Sequence, residues 1–171
     1  MTNPTFDFTD GLGPVPAHRH INPDGSEGGW VADAAGVSRL AFIGPDATVG
    51  SDGAANRGAH ILDHAHVACG QVAGGTVRGS AIISSGYVGP NTTVEEHATV
   101  RGHLTDNVTV RGMAQIGFHV VVEASAGSVI EGEVKIEGRG ILNLDGCISG
   151  DGVLTLEGNV AYTKPSDDKS E

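Results

Sequence analysis

Aromatic side chains are scarce in this sequence: one Trp, two Tyr and four Phe among 171 residues. That shortage excludes a core built around large rings and suits a narrow one. Long apolar runs are missing as well. None approaches the roughly 20 residues that a membrane-spanning helix needs, so no membrane partner is expected. Positive charge is in short supply, with ten Lys and Arg against twenty-one Asp and Glu and a formal net charge of −11. Such a balance argues against nucleic acid as a bulk electrostatic partner and favours solubility. Cysteine is nearly absent; Cys69 and Cys147 are the two present, which fits a reducing compartment. The first residues contain no basic and then apolar leader, so the expected location is the cytoplasm.

What the chain does have is glycine, 27 of them, and a period. Val31, Val37, Ile43, Val49, Ala55, Ile61 and Val67 follow one another at a spacing of six. Ala35, Ala41, Ala47, Ala59 and Ala65 stand two places before rung positions in the same series. A sustained fixed period means that one structural unit is stacked on itself. Six is a multiple of the strand period of two and not of the helical period. Each hexapeptide therefore reads as a short extended rung plus a turn, and the whole as an all-β solenoid.

Residues 1–30 precede the repeat. Pro4, Pro14, Pro16 and Pro23, with Asp24-Gly25 and Gly28-Gly29, make this stretch loop and turn. Its role is expected to be a cap over the open end of the stack, with Trp30 closing the first rung; a partner-binding arm is the alternative. Past Val67 the aliphatics step by five through Val72, Val77 and Ile82, and sixes resume at Val88, Val94 and Val100. A phase slip follows Val100, after which Leu104, Val110, Ile116 and Val122 run in sixes again. Slips of this kind put bulges or short loops on one face, where binding groups tend to be carried. Residues 126–162 change character. From Ile130 every even position is apolar or glycine, and 136–147 and 148–159 share the pattern Ile, Gly, Gly, Leu, Leu, Gly. That segment is either a slimmer continuation of the solenoid or β-structure formed between subunits. The polar tail 163–171 is expected to be disordered.

The motif aliphatic–Gly–X–X–small–X, seen in Ile43-Gly44-Pro45-Asp46-Ala47-Thr48 and Val88-Gly89-Pro90-Asn91-Thr92-Thr93, resembles the hexapeptide-repeat family. The likeness covers residues 31–125 well and 126–160 loosely. It implies a left-handed single-stranded parallel β-helix, triangular in section, in a homotrimer. The entry segment His18-Arg19-His20, Pro23-Asp24-Gly25-Ser26 and Gly28–Asp33 resembles the opening of hexapeptide-repeat proteins encoded by phages of actinobacteria, most of which have no assigned activity.

The histidines are the candidates for chemistry. His64, His97, His103 and His119 each stand three places after an aliphatic residue, a phase expected to lie at corners. In the acyltransferases that the repeat resembles, a corner histidine between subunits is the general base, which makes His97 and His103 the catalytic candidates. The competing reading is a repeated solvated corner residue. Three imidazoles could hold a catalytic zinc, but the family's carbonic-anhydrase branch has two histidines five apart. His60, His64 and His66 lack that separation, so no metal is expected; nor is a cofactor. His18 and His20 read as cap packing. Three Val-Arg-Gly tripeptides place Arg78, Arg101 and Arg111 outward, where a ladder on one face would hold phosphate or carboxylate. Glu95, Glu96 and Glu123 in neighbouring rungs oppose that, leaving a mixed solvated face as the plainer reading. Neither cysteine has the neighbours of a nucleophile. Three functions remain in play: a non-enzymatic trimeric module with a structural role or binding an unknown protein or small molecule, an acyltransferase using an acyl-coenzyme A or related donor, and, third in order, a small-anion or nucleotide binder that uses the arginine ladder.

Overall fold

The computed structural model describes residues 4–163 and shows an all-β parallel solenoid of about seven turns. No helix among the described residues is long and apolar enough to cross a membrane. Each coil has three sides, fixed by the inward aliphatic residue on each. The first side stacks Val31, Val49, Val67, Ile83, Val100, Ile116, Ile136 and Leu154 in parallel register. The second stacks Val37, Ala55, Val72, Val88, Leu104, Val122, Leu142 and Val160. The third stacks Ile43, Ile61, Val77, Val94, Val110, Ile130 and Ile148. Most of these side chains are fully buried, and the buried cluster consists of Val, Ile, Leu and Ala alone. Burial contributes about 1.5–3 kcal/mol for each large aliphatic. The scarcity of aromatics is thus explained, since a ring would not fit so thin a core.

The corner from the third side to the first has the same length in every coil. Its step is always six, as in Val94 to Val100 or Val110 to Ile116. From the second coil on, the chain turns left-handed two places after the inward residue, at Asp63, Gly79, Glu96, Gly112, Gly132 and Gly150. In the first five coils a buried alanine stands two places before the next inward residue: Ala47, Ala65, Ala81, Ala98 or Ala114. This marker places the inward residue of the fourth coil at Ile83 and not at Ile82, which is 40% exposed. Two adjacent isoleucines hid the choice, but Ala81 two places before Ile83 resolves it.

The corner from the first side to the second varies. Its step is six in the first two coils, five from Val67 to Val72 and from Ile83 to Val88, and four from Val100 to Leu104. It returns to six from Ile116 to Val122. The phase slip after Val100 is therefore one short corner beneath one long one.

Residues 126–162 continue the solenoid, with no thinning. The Glu133–Asp145 strand covers two sides of one coil and pairs in parallel with the strands before and after it. The shared 12-residue pattern does not stack on itself, because Ile136 pairs with Leu154 and Ile148 with Ile130. A coil is longer than 12 residues, so the resemblance spans only two of its sides.

The N-terminal segment holds three strands between its turns. Thr5–Phe6, Val15–Ile21 and Glu27–Ala32 pair antiparallel, and the last of them enters the first coil. Prolines fall at strand starts and turns, where a missing N–H costs nothing. Asn22, only 4% exposed, imitates a strand backbone: its Oδ1 accepts from Ile43 N–H at 2.8 Å and its Nδ2 donates to Ile43 O at 3.1 Å. Arg19 donates to Pro45 O at 2.7 Å, and a His20 ring N–H to Ala41 O at 3.1 Å. These side chains satisfy carbonyls of the first coil that have no coil above them. Trp30 does not close the rung from inside. It faces out, stacks on Phe6 at 5.1 Å and lies under the Arg19 guanidinium at 5.0 Å, while Val31 fills the core position. Of the polar tail, Thr163 ends the Val160–Thr163 strand; the rest lies outside the described residues.

Candidate functional site

The unequal corners place the most suggestive cluster. Between Val100 and Leu104 lie only Arg101, Gly102 and His103, so the corner is drawn in. In the next coil Gly117, Phe118, His119, Val120 and Val121 fill the same span, and Phe118 is 63% exposed. The long corner overhangs the short one. The result is a groove of about 330 Å³ lined by Gly86, Arg101, His103, Phe118, His119 and Val121. Close backbone approach makes its floor: a Cβ on Gly86 would lie 2.0 Å from Gly102 O, and one on Gly102 2.4 Å from Val120 O. Along its edges Tyr87 stacks on His103 at 6.4 Å and Phe118 meets His119 edge-on at 4.9 Å. Arg139 of the following coil is the strand partner of His119.

Charge in the groove runs against the rest of the chain. No Asp or Glu lines it, and among the described residues neither Arg101 nor Arg139 has an ion pair. The adjacent Glu137 is held by Lys135 at 2.6 Å.

The sequence candidates separate accordingly. Arg101 and His103 come together here. Arg78 and Arg111 stand at a different corner, two coils apart and each following an inward valine of the third side. Arg78 Nε donates to Glu95 at 2.7 Å and Arg111 Nε to Glu131 at 2.8 Å, so this corner is an alternating ladder of arginine and glutamate. The three arginines share no face. Between Arg78 and Arg111 the carboxylate of Glu96 takes the Gly112 N–H at 2.9 Å, as Asp63 takes that of Gly79.

The four histidines expected at corners also divide. His64 and His97 do stand there, exposed, with Ser80 in the coil between them. His103 belongs to the His103–Leu104 strand and His119 to the His119–Ala124 strand. The shortened corner moves the third place after Val100 onto the next side. Among the described residues the rings of His97 and His103 have no hydrogen-bond partner, and no group of His, Cys, Asp and Glu converges as metal ligands. His60 stacks on Phe42, and His66 hydrogen-bonds Thr48 Oγ1 at 2.7 Å. Burial holds the His66 and His20 imidazoles below their ordinary pKa.

Phe118 and Arg139 are absent from the sequence candidates, and His119 is present there only as a corner histidine. The signal for them is the change from a step of four to a step of six across consecutive coils. No family model, curated protein or solved structure matches the chain.

Proposed function

We propose that the chain is a non-enzymatic homotrimeric β-solenoid, left-handed as its repeat implies, that works as a structural or binding module. The phage-like entry segment supports a phage-encoded protein acting in the host cytoplasm. The observation that carries the reading is how the side chains are used: three columns of buried aliphatics run the length of the solenoid, and the corner arginines and glutamates bond to one another and to the backbone of the next coil.

Native mass spectrometry of the purified chain tests the assembly: a trimer is expected, and a monomer contradicts it. Acyl transfer is tested with acetyl-coenzyme A and a panel of amine and hydroxyl acceptors. Release of free thiol that disappears in both His97→Ala and His103→Ala would establish the acyltransferase instead.

A further inference from the structure

The groove at the short corner has the donors of a phosphate site and the wall of an aromatic one. Three side chains that donate through nitrogen, Arg101, His103 and His119, surround one opening, with Arg139 beside it. A guanidinium offers a planar fork of N–H groups and each imidazole one or two more. A carboxylate presents two oxygens to such a set, whereas a phosphate monoester presents three and carries a charge close to −2 at neutral pH. Acidic side chains are excluded from the lining on a chain whose net charge is −11. Phe118 stands over the same opening, and Tyr87 flanks His103. A flat group attached to the phosphate would find a ring to stack against. The volume of about 330 Å³ admits a small molecule.

From this convergence we infer that the groove of Arg101, His103, Phe118 and His119 is a binding site for a small aromatic phosphate monoester. The inference rests on the binding-module reading and names the ligand class of that module. The backbone of Gly86 and Gly102 forms the floor, Arg101 and the two imidazoles hold the phosphoryl oxygens, and Phe118 covers the aromatic portion. Arg78 and Arg111 take no part, because Glu95 and Glu131 already occupy them.

The test is a titration of the intact chain with phenyl phosphate, inorganic phosphate and benzoate, followed by calorimetry and by the NMR resonances of the histidine rings. Phenyl phosphate is expected to saturate with a Kd of about 1 mM or tighter, moving the His103 and His119 signals. Inorganic phosphate and benzoate should each bind about tenfold more weakly. Arg101→Gln and His103→Gln should each lower phenyl phosphate affinity by about tenfold or more. Phe118→Ala should erase its advantage over inorganic phosphate. Arg78→Gln should bind as the wild type does. Absence of saturation, benzoate binding as tight as phenyl phosphate, or an equal loss in Arg78→Gln would overturn the site. The same samples are assayed for thiol release from acetyl-coenzyme A. Release lost in His103→Gln would overturn the non-enzymatic reading alone, while no release together with no saturation would overturn the site alone.

Discussion

Two corners of the same coil behave in opposite ways. The corner from the third side to the first keeps one length throughout, with a left-handed residue from the second coil on and a buried alanine in the first five coils. The corner from the first side to the second contracts from six residues to four and expands again. The first holds the stack in register, because a changed length there would turn inward residues outward. The second is free to vary, and its variation leaves room between coils. Side chains at the constant corner are spent on the stack itself, as Glu96 on Gly112 N–H and Arg78 on Glu95 show. At the variable corner Ser85 also bonds the next coil, donating to Arg101 O at 2.9 Å, but Arg101, His103 and Phe118 face an opening. Structure and binding have been assigned to different edges of one triangle.

The largest effect is expected where the constant corner begins. Val94 is fully buried between Val77 and Val110, so Val94→Asp places a charge in an apolar stack and should cost about 4 kcal/mol or more. Neighbouring coils depend on one another, so limited proteolysis should remove a whole segment. A cleavage pattern like the wild type's would show that Val94 does not point inward. Next comes the cap. Asn22→Ala leaves the Ile43 N–H and C=O without partners and should cost about 2 kcal/mol, with hydrogen exchange at Phe42–Ile43 rising first. Uniform exchange throughout the chain would argue against a local cap.

Acid should loosen the same end. Burial lowers the folded pKa of His20 and His66; for His20 the Ala41 carbonyl opposes this and His18 adds to it, while Thr48 and Asp10 oppose it for His66. The unfolded chain therefore takes up protons first. Stability falls as pH drops below about 6.5 and stops falling once the folded rings are charged as well. Thermal midpoints that stay level over that range in the wild type, or that fall equally in a His20→Gln, His66→Gln variant, would contradict the assignment. The smallest effects separate the two corners. Arg78→Gln removes a half-exposed ion pair and should cost less than about 1 kcal/mol. Arg101→Gln should change stability by less than about 0.5 kcal/mol, its cost falling on phosphate binding instead.

The repeat was legible in the sequence because burial in a thin stack admits few residue types and repeats them at one spacing. The slip after Val100 was legible too, and so were Arg101 and His103 as candidates. The register through Ile82 and Ile83 was not, since two isoleucines satisfy the pattern equally until Ala81 is used as the marker. The N-terminal strands were hidden by their prolines and glycines, whose turn chemistry masks antiparallel pairing. The groove itself was hidden for another reason. It arises from the difference in length between consecutive corners, so no single hexapeptide contains it. The arginine ladder failed because Val-Arg-Gly recurs at unequal intervals, which carries Arg101 to a different edge from Arg78 and Arg111.

A matched pair of insertions tests the division between corners most directly. One glycine is inserted after Gly112 in the constant corner and, in a second variant, one after Gly102 in the variable corner. Thermal unfolding of both is compared with the wild type. The insertion after Gly112 should abolish the cooperative transition of the coils around it. The insertion after Gly102 restores a step of five, as found from Ile83 to Val88, and should cost about 1 kcal/mol or less. Equal damage from the two insertions, or greater damage after Gly102, would contradict the account.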